Sequence, residues 1–187
     1  ELKIKKPKYY LNVDTSSLGK VLGNTLISIE KILIKEKPDA VLILGDTNSS
    51  VAAIMAKRLH IPIYHMEAGN RSFDFNVPEE INRRIVDHIA DYNLVYTEHS
   101  RRHLLSEGLS HRRIYLTGSP MYEVLTFYSN KINNSSILDK LKLKKKKYFT
   151  VSMHREENVD NKIILKNIIS ILNELTIKFN VPIIFSC

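Results

Sequence analysis

Asp39-Ala40-Val41-Leu42-Ile43-Leu44-Gly45-Asp46-Thr47 decides the fold. A short aliphatic run with no polar alternation is the pattern of a strand covered on both faces, as in a parallel sheet. Gly45 and Asp46 stop it, and Asn48, Ser49 and Ser50 offer caps for a helix from Val51 to Leu59. Upstream, Leu22, Leu26, Ile29, Ile32 and Leu33 recur at helical spacing between Gly19 and Lys37, and Pro38 ends that helix. Downstream the rhythm repeats. Strands are expected at Ile61 to His65, Tyr92 to Tyr96 and Ile114 to Leu116. Helices are expected at Glu79 to Ala90, with Ile81, Ile85 and Ile89 on its apolar face and Arg83, Arg84 and Asp87 off it, and at Ser100 to Glu107, closed by Gly108. Ser119-Pro120 opens one more helix, with proline at its first position.

Strands alternating with helices imply an α/β fold built on a parallel sheet with helices on both faces. Ligands of such sheets sit beyond the carboxyl ends of the strands. The rhythm breaks over residues 129–147, which are polar and lysine-rich, and a linker is expected there. It would join a first domain, 1–128, to a second, 148–187, that starts with a strand at Tyr148 to Ser152. A long helix from Asn161 to Phe179 and a strand over 181–187 follow.

Composition narrows the function classes. The 187 residues carry a net charge of +8 and one cysteine, Cys187, so no intrachain disulfide forms. No apolar run approaches the ~20 residues that cross a bilayer. The charged start, Glu1-Leu2-Lys3-Ile4-Lys5-Lys6, lacks the pattern of a secretory leader. Together these give the expectation of a cytoplasmic protein without membrane insertion. The excess of positive charge suits nucleic acid, a membrane surface or anionic small molecules. The dense run at Lys140, Lys142 and Lys144 to Lys147 reads as a solvated linker, because no aromatic residues interleave it for stacking on bases. No nucleic-acid partner is therefore expected. The chain starts with Glu and stops inside an apolar run, and is expected to lack both ends of its domains.

Candidate chemistry gathers at strand ends. Asp46, Glu67 and His154 each fall just after an expected strand. Asp46 in Gly45-Asp46-Thr47 suits either a helix cap or a functional carboxylate, and spacing alone leaves both open. Glu67, in Met66-Glu67-Ala68-Gly69, is expected to be partly buried, and burial tunes a carboxyl toward proton transfer near neutral pH. Its structural alternative is an ion pair with Arg71. Glu79 and Glu80 follow Pro78 and stabilise a helix N-terminus by charge alone. Arg83 and Arg84, one turn on, suit either pairing with these carboxylates or holding an anion. His88 reads as an ordinary interface histidine rather than a ligand. His154 and Arg155 are suited to a pyrophosphate, since arginine matches phosphate oxygens two at a time. Neither a Gly-rich phosphate loop nor zinc-ligand spacing occurs, so no cofactor and no metal are expected.

In order along almost the whole chain run Lys37-Pro38-Asp39, Gly45-Asp46-Thr47, Glu67-Ala68-Gly69 with Arg71, Pro78-Glu79-Glu80 with Asn82-Arg83, and Thr97-Glu98 with Ser100-Arg101. Thr117-Gly118 and His154-Arg155 with Glu157-Asn158 complete the series. This series resembles the non-hydrolysing UDP-N-acetylglucosamine 2-epimerase family. The resemblance implies a glycosyltransferase-B-like fold of two Rossmann-like domains, a UDP-sugar substrate, no redox cofactor and a homodimer at full length. It implies inversion at C2 through elimination and re-addition of UDP, in surface polysaccharide biosynthesis. Asp46, Glu67 and Glu79 resemble the family's acid and base carboxylates, and His154 its histidine near the diphosphate. Arg71, Arg83 and Arg155 become candidates for substrate contact.

Two departures matter. Glu156 stands where many members have a second arginine, and the run from Glu67 to Asn82 is closest to a capsule and O-antigen subfamily. Those members convert UDP-2-acetamido-2,6-dideoxy-L-talose to UDP-N-acetyl-L-fucosamine, which gives an alternative substrate. The family's amino-terminal Gly-Thr-Arg-Pro-Glu loop and everything beyond Cys187 are absent, so the chain alone is expected to be inactive. The remaining alternatives are a hydrolysing epimerase, a glycosyltransferase of similar fold and a basic nucleic-acid-binding domain. The last leaves the acidic strand ends unexplained.

Overall fold

The computed structural model describes residues 4–153 and 161–186. The chain divides into two compact units, Glu1–Tyr122 and Glu123–Cys187. In the first, α1 (Leu18–Glu36) starts where the Ser17 side chain accepts the Lys20 N–H at 3.3 Å. It stops at Lys37, whose φ of 45° is left-handed. Pro38 disfavours a further helical residue there, so the chain leaves the helix at that point. Strand β1 (Val41–Leu44) follows, then a 3-10 turn (Asn48–Val51) that runs into α2 (Ala52–Arg58). Strand β2 (Ile63–Ala68), α3 (Pro78–Ile89), β3 (Tyr92–Val95), α4 (Glu98–Ser106) and β4 (Ile114–Leu116) complete the unit. Thr97 caps α4 by accepting the Ser100 N–H at 3.1 Å.

The four strands are parallel, in the order β1-β2-β3-β4. When strands follow chain order and every crossover is right-handed, each helix lands on the same face. One face therefore carries the core: Leu33, Ala53, Ala56, Ile63, Val86 and Ala90, with a second cluster of Ala68, Val95, Leu104 and Ile114. On the other face, among the described residues, side chains stand exposed. Leu42 and Leu44 are 62% and 63% exposed. Register aligns them with Tyr64 and Tyr92, and with Met66, Leu94 and Tyr115.

Helix α3 corrects one expectation. Ile81 and Ile85 face outward, while Glu80, Asn82, Arg83, Val86 and Asp87 are buried. The buried face is mostly polar because its groups meet partners, which hydrophobic periodicity does not register.

Helix α5 (Met121–Phe127) spans the division between units. The segment expected as a linker carries two short helices, α6 (Ser129–Asn133) and α7 (Ile137–Lys140). Beyond it, β5 (Phe149–Ser152), α8 (Lys162–Phe179) and β6 (Ile183–Ser186) form a βαβ unit with parallel strands. Asn161 caps α8 by accepting the N–H groups of Ile163 and Ile164 at 3.0 and 3.2 Å. Phe149 of β5 packs edge-on against Phe179 at 5.6 Å between ring centroids.

Candidate active site

The chemistry expected at the strand ends of the first unit comes together there. Asp46 leaves β1 directly after Gly45, whose φ of 72° turns the chain. Glu67 lies within the last turn of β2 rather than after it. Its φ is 63°, and the pairing with β3 shifts register between Met66 and Ala68. Such a bulge re-aims one side chain out of the alternating pattern, and a non-glycine residue held left-handed stores strain that clusters at functional sites. The effect is to bring the Glu67 carboxylate across to β1. A Cβ placed on Gly45 would stand 4.0 Å from Glu67 Oε2.

Arg83 of α3 joins the two carboxylates. Its guanidinium donates to Asp46 and to the main-chain carbonyl of Glu67, and at 3.2 Å to Glu67 Oε1. Asp46 and Glu67 are 18% and 36% exposed, and Arg83 is nearly buried. One guanidinium serves two carboxylates, so the cluster keeps an uncompensated negative charge at a position open to a ligand. Asn70 donates to Glu67 Oε1 at 3.5 Å and accepts the Ser100 hydroxyl at 2.7 Å, tying the cluster to α4.

Glu79 is exposed in the first turn of α3 and makes no hydrogen bond or ion pair among the described residues. It precedes Arg83 by four residues, so it shares that residue's face of the helix, one turn toward the N-terminus. Glu80, beside it, does something else. Burial opposes its charge, but the Ser72 N–H at 2.7 Å and Arg84 at 2.8 Å outweigh that and hold its carboxyl below the usual range. Glu80 thus closes the loop before α3. Arg84 pairs with it, one of the two roles expected for that arginine.

Arg71 departs from expectation. It does not pair with Glu67. Its side chain is 0% exposed and gripped by Asp87 Oδ2 at 2.7 Å and Glu107 Oε2 at 2.6 Å. Nε reaches Glu107 Oε1 at 2.8 Å and Nη1 reaches the Asn70 carbonyl at 2.8 Å. No surface of this guanidinium is left for an anionic ligand. Desolvation opposes its charge, yet the bonds to Glu107 and the charge of Asp87 raise its pKa above the ordinary arginine value. The bond from Arg71 holds the Glu107 carboxyl down at about 2 against the cost of desolvation, with His88 and Arg84 assisting. His88 is a surface histidine bonded to Glu107 at 3.1 Å.

Four contributors escaped the sequence reading. His65 and Asp87 are fully buried and hydrogen-bonded to each other at 2.8 Å. Asn82 reaches Asn48 at 3.0 Å and ties α3 to the turn after Asp46. Tyr96, directly after β3, is half-buried, and desolvation first, then the charge of Glu67, pushes its phenol pKa up against the opposing charge of Arg83. Tyr96 had a signal available: it leaves its strand end as Asp46 does. His65 had one too, as a polar residue at an inward position of a strand. His154 and Arg155 lie outside the described residues. Among the described residues no group of three or more His, Cys, Asp or Glu side chains is arranged to hold a metal, and no helix is long and apolar enough to cross a membrane.

Comparison with known proteins identifies what the chain is similar to. A family model described as UDP-N-acetylglucosamine 2-epimerase matches residues 1–187. The UDP-N-acetylglucosamine 2-epimerase of Methanocaldococcus jannaschii is 42% identical over 100% of this chain and 52% of its own length. The solved structure of UDP-N-acetylglucosamine 2-epimerase from Rickettsia bellii is 49% identical, with a TM-score of 0.91 over 98% of this chain and 48% of that one. The M. jannaschii enzyme, solved in complex with UDP-GlcNAc and UDP, is 39% identical, with a TM-score of 0.88 over 98% of this chain and 51% of that one. The expected glycosyltransferase-B-like α/β class stands with these likenesses. The chain spans about half the length of the curated relatives it matches.

Proposed function

The chain belongs to the UDP-N-acetylglucosamine 2-epimerase family, and on that premise we propose that the protein at its natural length inverts C2 of a UDP-N-acetylhexosamine without releasing the sugar. One observation carries the proposal. Asp46 and Glu67 come from different strands, meet on Arg83 and remain reachable at the carboxyl edge of the sheet. A cap or a surface ion pair needs neither the convergence nor the backbone strain at Glu67.

The reaction demands such a pair. The C2 hydrogen of the sugar is not adjacent to a carbonyl, so it leaves only as a C1 leaving group departs. A carboxylate takes the C2 proton while the C1–O bond to UDP breaks, giving a 2-acetamidoglycal. UDP then re-forms the C1–O bond as a carboxylic acid returns a proton to the opposite face of C2. The net charge and the protons balance, and no oxidant is used. Asp46 and Glu67 are proposed as proton carriers, the uncompensated charge beside Arg83 being the place for the proton. Glu79 is proposed as the third carboxylate, on the strength of its unpaired position one turn from Arg83. Arg83 fixes the pair, and Tyr96 keeps its phenolic proton for donation. His154 and Arg155 are proposed to meet the diphosphate that leaves and returns. Arg71 is reassigned from substrate contact to the frame.

The same reading proposes a cytoplasmic homodimer that supplies a surface polysaccharide pathway. Light scattering at the natural length tests the dimer. Incubation with UDP-N-acetylglucosamine, followed by proton NMR, tests the activity. The expected result is an equilibrium mixture with UDP-N-acetylmannosamine. Release of UDP with free N-acetylmannosamine would make the protein a hydrolysing epimerase. Turnover restricted to UDP-2-acetamido-2,6-dideoxy-L-talose would move it to the deoxysugar branch. Transfer of the sugar to an added acceptor, or no reaction with any of these substrates, would overturn the proposal.

A further inference from the structure

His65 and Asp87 take no part in the proposed chemistry, yet they touch both segments that carry it. His65 is in the middle of β2 with no exposed surface, and both of its ring nitrogens meet acceptors. Nε2 lies 2.8 Å from the Gly45 carbonyl and Nδ1 lies 2.8 Å from Asp87 Oδ1. A carbonyl oxygen only accepts, so Nε2 carries a proton. Everything else around the Asp87 carboxylate donates. The Gly69 N–H stands 3.2 Å from each oxygen and Arg71 Nη1 stands 2.7 Å from Oδ2. His65 Nδ1 completes the ring of polar groups around that carboxylate, and the pair is sealed from solvent.

We propose that the His65–Asp87 pair is the positioning element of the site, holding the Asp46 turn and the Glu67 bulge in one arrangement. Gly45 precedes Asp46 directly, and Gly69 follows Glu67 by two residues. His65 grips the first and Asp87 the second, through a single side-chain pair. Asp87 also belongs to α3, one turn beyond Arg83, so the same helix clamps the two segments twice: once in the site through Arg83, once beneath it through Asp87. Asn93 of β3, in register with His65, secures the helix by donating to the Asp87 main-chain carbonyl at 2.9 Å. Gly69 has no room to yield, since a Cβ there would stand 2.4 Å from the Ser100 carbonyl oxygen of α4. The groups facing the imidazole are therefore the Gly45 carbonyl from the β1 turn and Asp87 from α3. Behind Asp87 stands Arg71, balanced in turn by Glu107.

The bonding stands independently of the proposed activity; the catalytic consequence rests on it. Two measurements on the protein at its natural length separate these. Nitrogen-15 NMR of the wild-type protein at neutral pH is expected to show both His65 ring nitrogens bonded to hydrogen. An unprotonated Nδ1 would overturn donation from His65 to Asp87. In His65→Gln, both N–H groups sit on one amide nitrogen, which cannot reach the Gly45 carbonyl and Asp87 at the two ends of the former imidazole. The Arg83 guanidinium hydrogens, expected to exchange slowly in the wild type because they are bonded and nearly buried, are then expected to exchange freely, whether or not the protein is an epimerase. For epimerisation the expected change is a loss in kcat of about 10²-fold with KM nearly unchanged, as for misplaced groups of intact chemistry. Should that variant fail to fold, Asp87→Asn carries the same readouts, because an asparagine amide still bonds a neutral imidazole. It is expected to lose the doubly protonated signature while keeping more of the Arg83 protection than a broken link would. A folded His65→Gln variant with wild-type Arg83 exchange and wild-type kcat would overturn the positioning role.

Discussion

Arg83 and Arg71 each hold two carboxylates, and they do opposite things. Arg71 lies in the dry interior with Asp87 and Glu107, four of its N–H groups engaged and no surface exposed. Arg83 holds Asp46 and Glu67 where both acids keep exposed edges and Glu67 sits on a strained backbone. The first cluster resembles a frame: fully satisfied, expensive to break, unavailable to a ligand. The second resembles a working site, less protected and with charge left over. The residue types are the same, and burial and pairing separate the roles.

The strongest way to break this comparison is to neutralise the open cluster. Asp46→Asn and Glu67→Gln are each expected to lower kcat for epimerisation by about 10²- to 10⁴-fold, with thermal unfolding close to wild type. A variant with undiminished turnover, or one that unfolds, would move its residue into the frame. Arg71→Met does the reverse, leaving Asp87 and Glu107 without their cation. The expected cost is about 3–5 kcal/mol of folding stability, read from urea unfolding; a loss below about 1 kcal/mol would show that this buried network is not a frame. Gly69→Ala places a Cβ 2.4 Å from the Ser100 carbonyl at a φ of 77°. Overpacking and the left-handed penalty together are expected to cost about 2–4 kcal/mol, and near-neutral stability would contradict the packing described at that joint.

Glu107 sharpens the comparison through pH. Its carboxyl is held down at about 2, from 4.5, chiefly by the bond from Arg71. A lowered folded pKa stabilises the fold above the unfolded value and loses that contribution as pH falls through the folded one. The wild type should therefore lose stability between about pH 4.5 and 2 in part through this group. Glu107→Gln is expected to cost about 1.5–3 kcal/mol at neutral pH and to show a flatter acid limb. An acid limb as steep as wild type would remove Glu107 from the network.

Much of this was legible in the sequence, and the failures share one cause. The strands at β1 and β4, the Pro38 stop and the long helix that begins at Asn161 are local features, and local chemistry places them. The convergence of Asp46 and Glu67 follows from both being at the carboxyl ends of parallel strands. Pairing is not local. Nothing in the spacing of Arg71 announces Glu107, which is distant in the chain, and the proximity of Glu67 to Arg71 in sequence pointed to the wrong pair. The inverted face of α3 fails for the same reason, because a polar face is buried once its partners come from other elements.

The most direct test of the central claim, that the carboxylates gathered on Arg83 move the C2 proton, is turnover of UDP-N-acetylglucosamine in deuterated water by the protein at its natural length, with product and recovered substrate examined by NMR. The account predicts deuterium at C2 in both sugars, and its loss when Asp46→Asn or Glu67→Gln is used. Epimerisation that retains the original C2 hydrogen would contradict it.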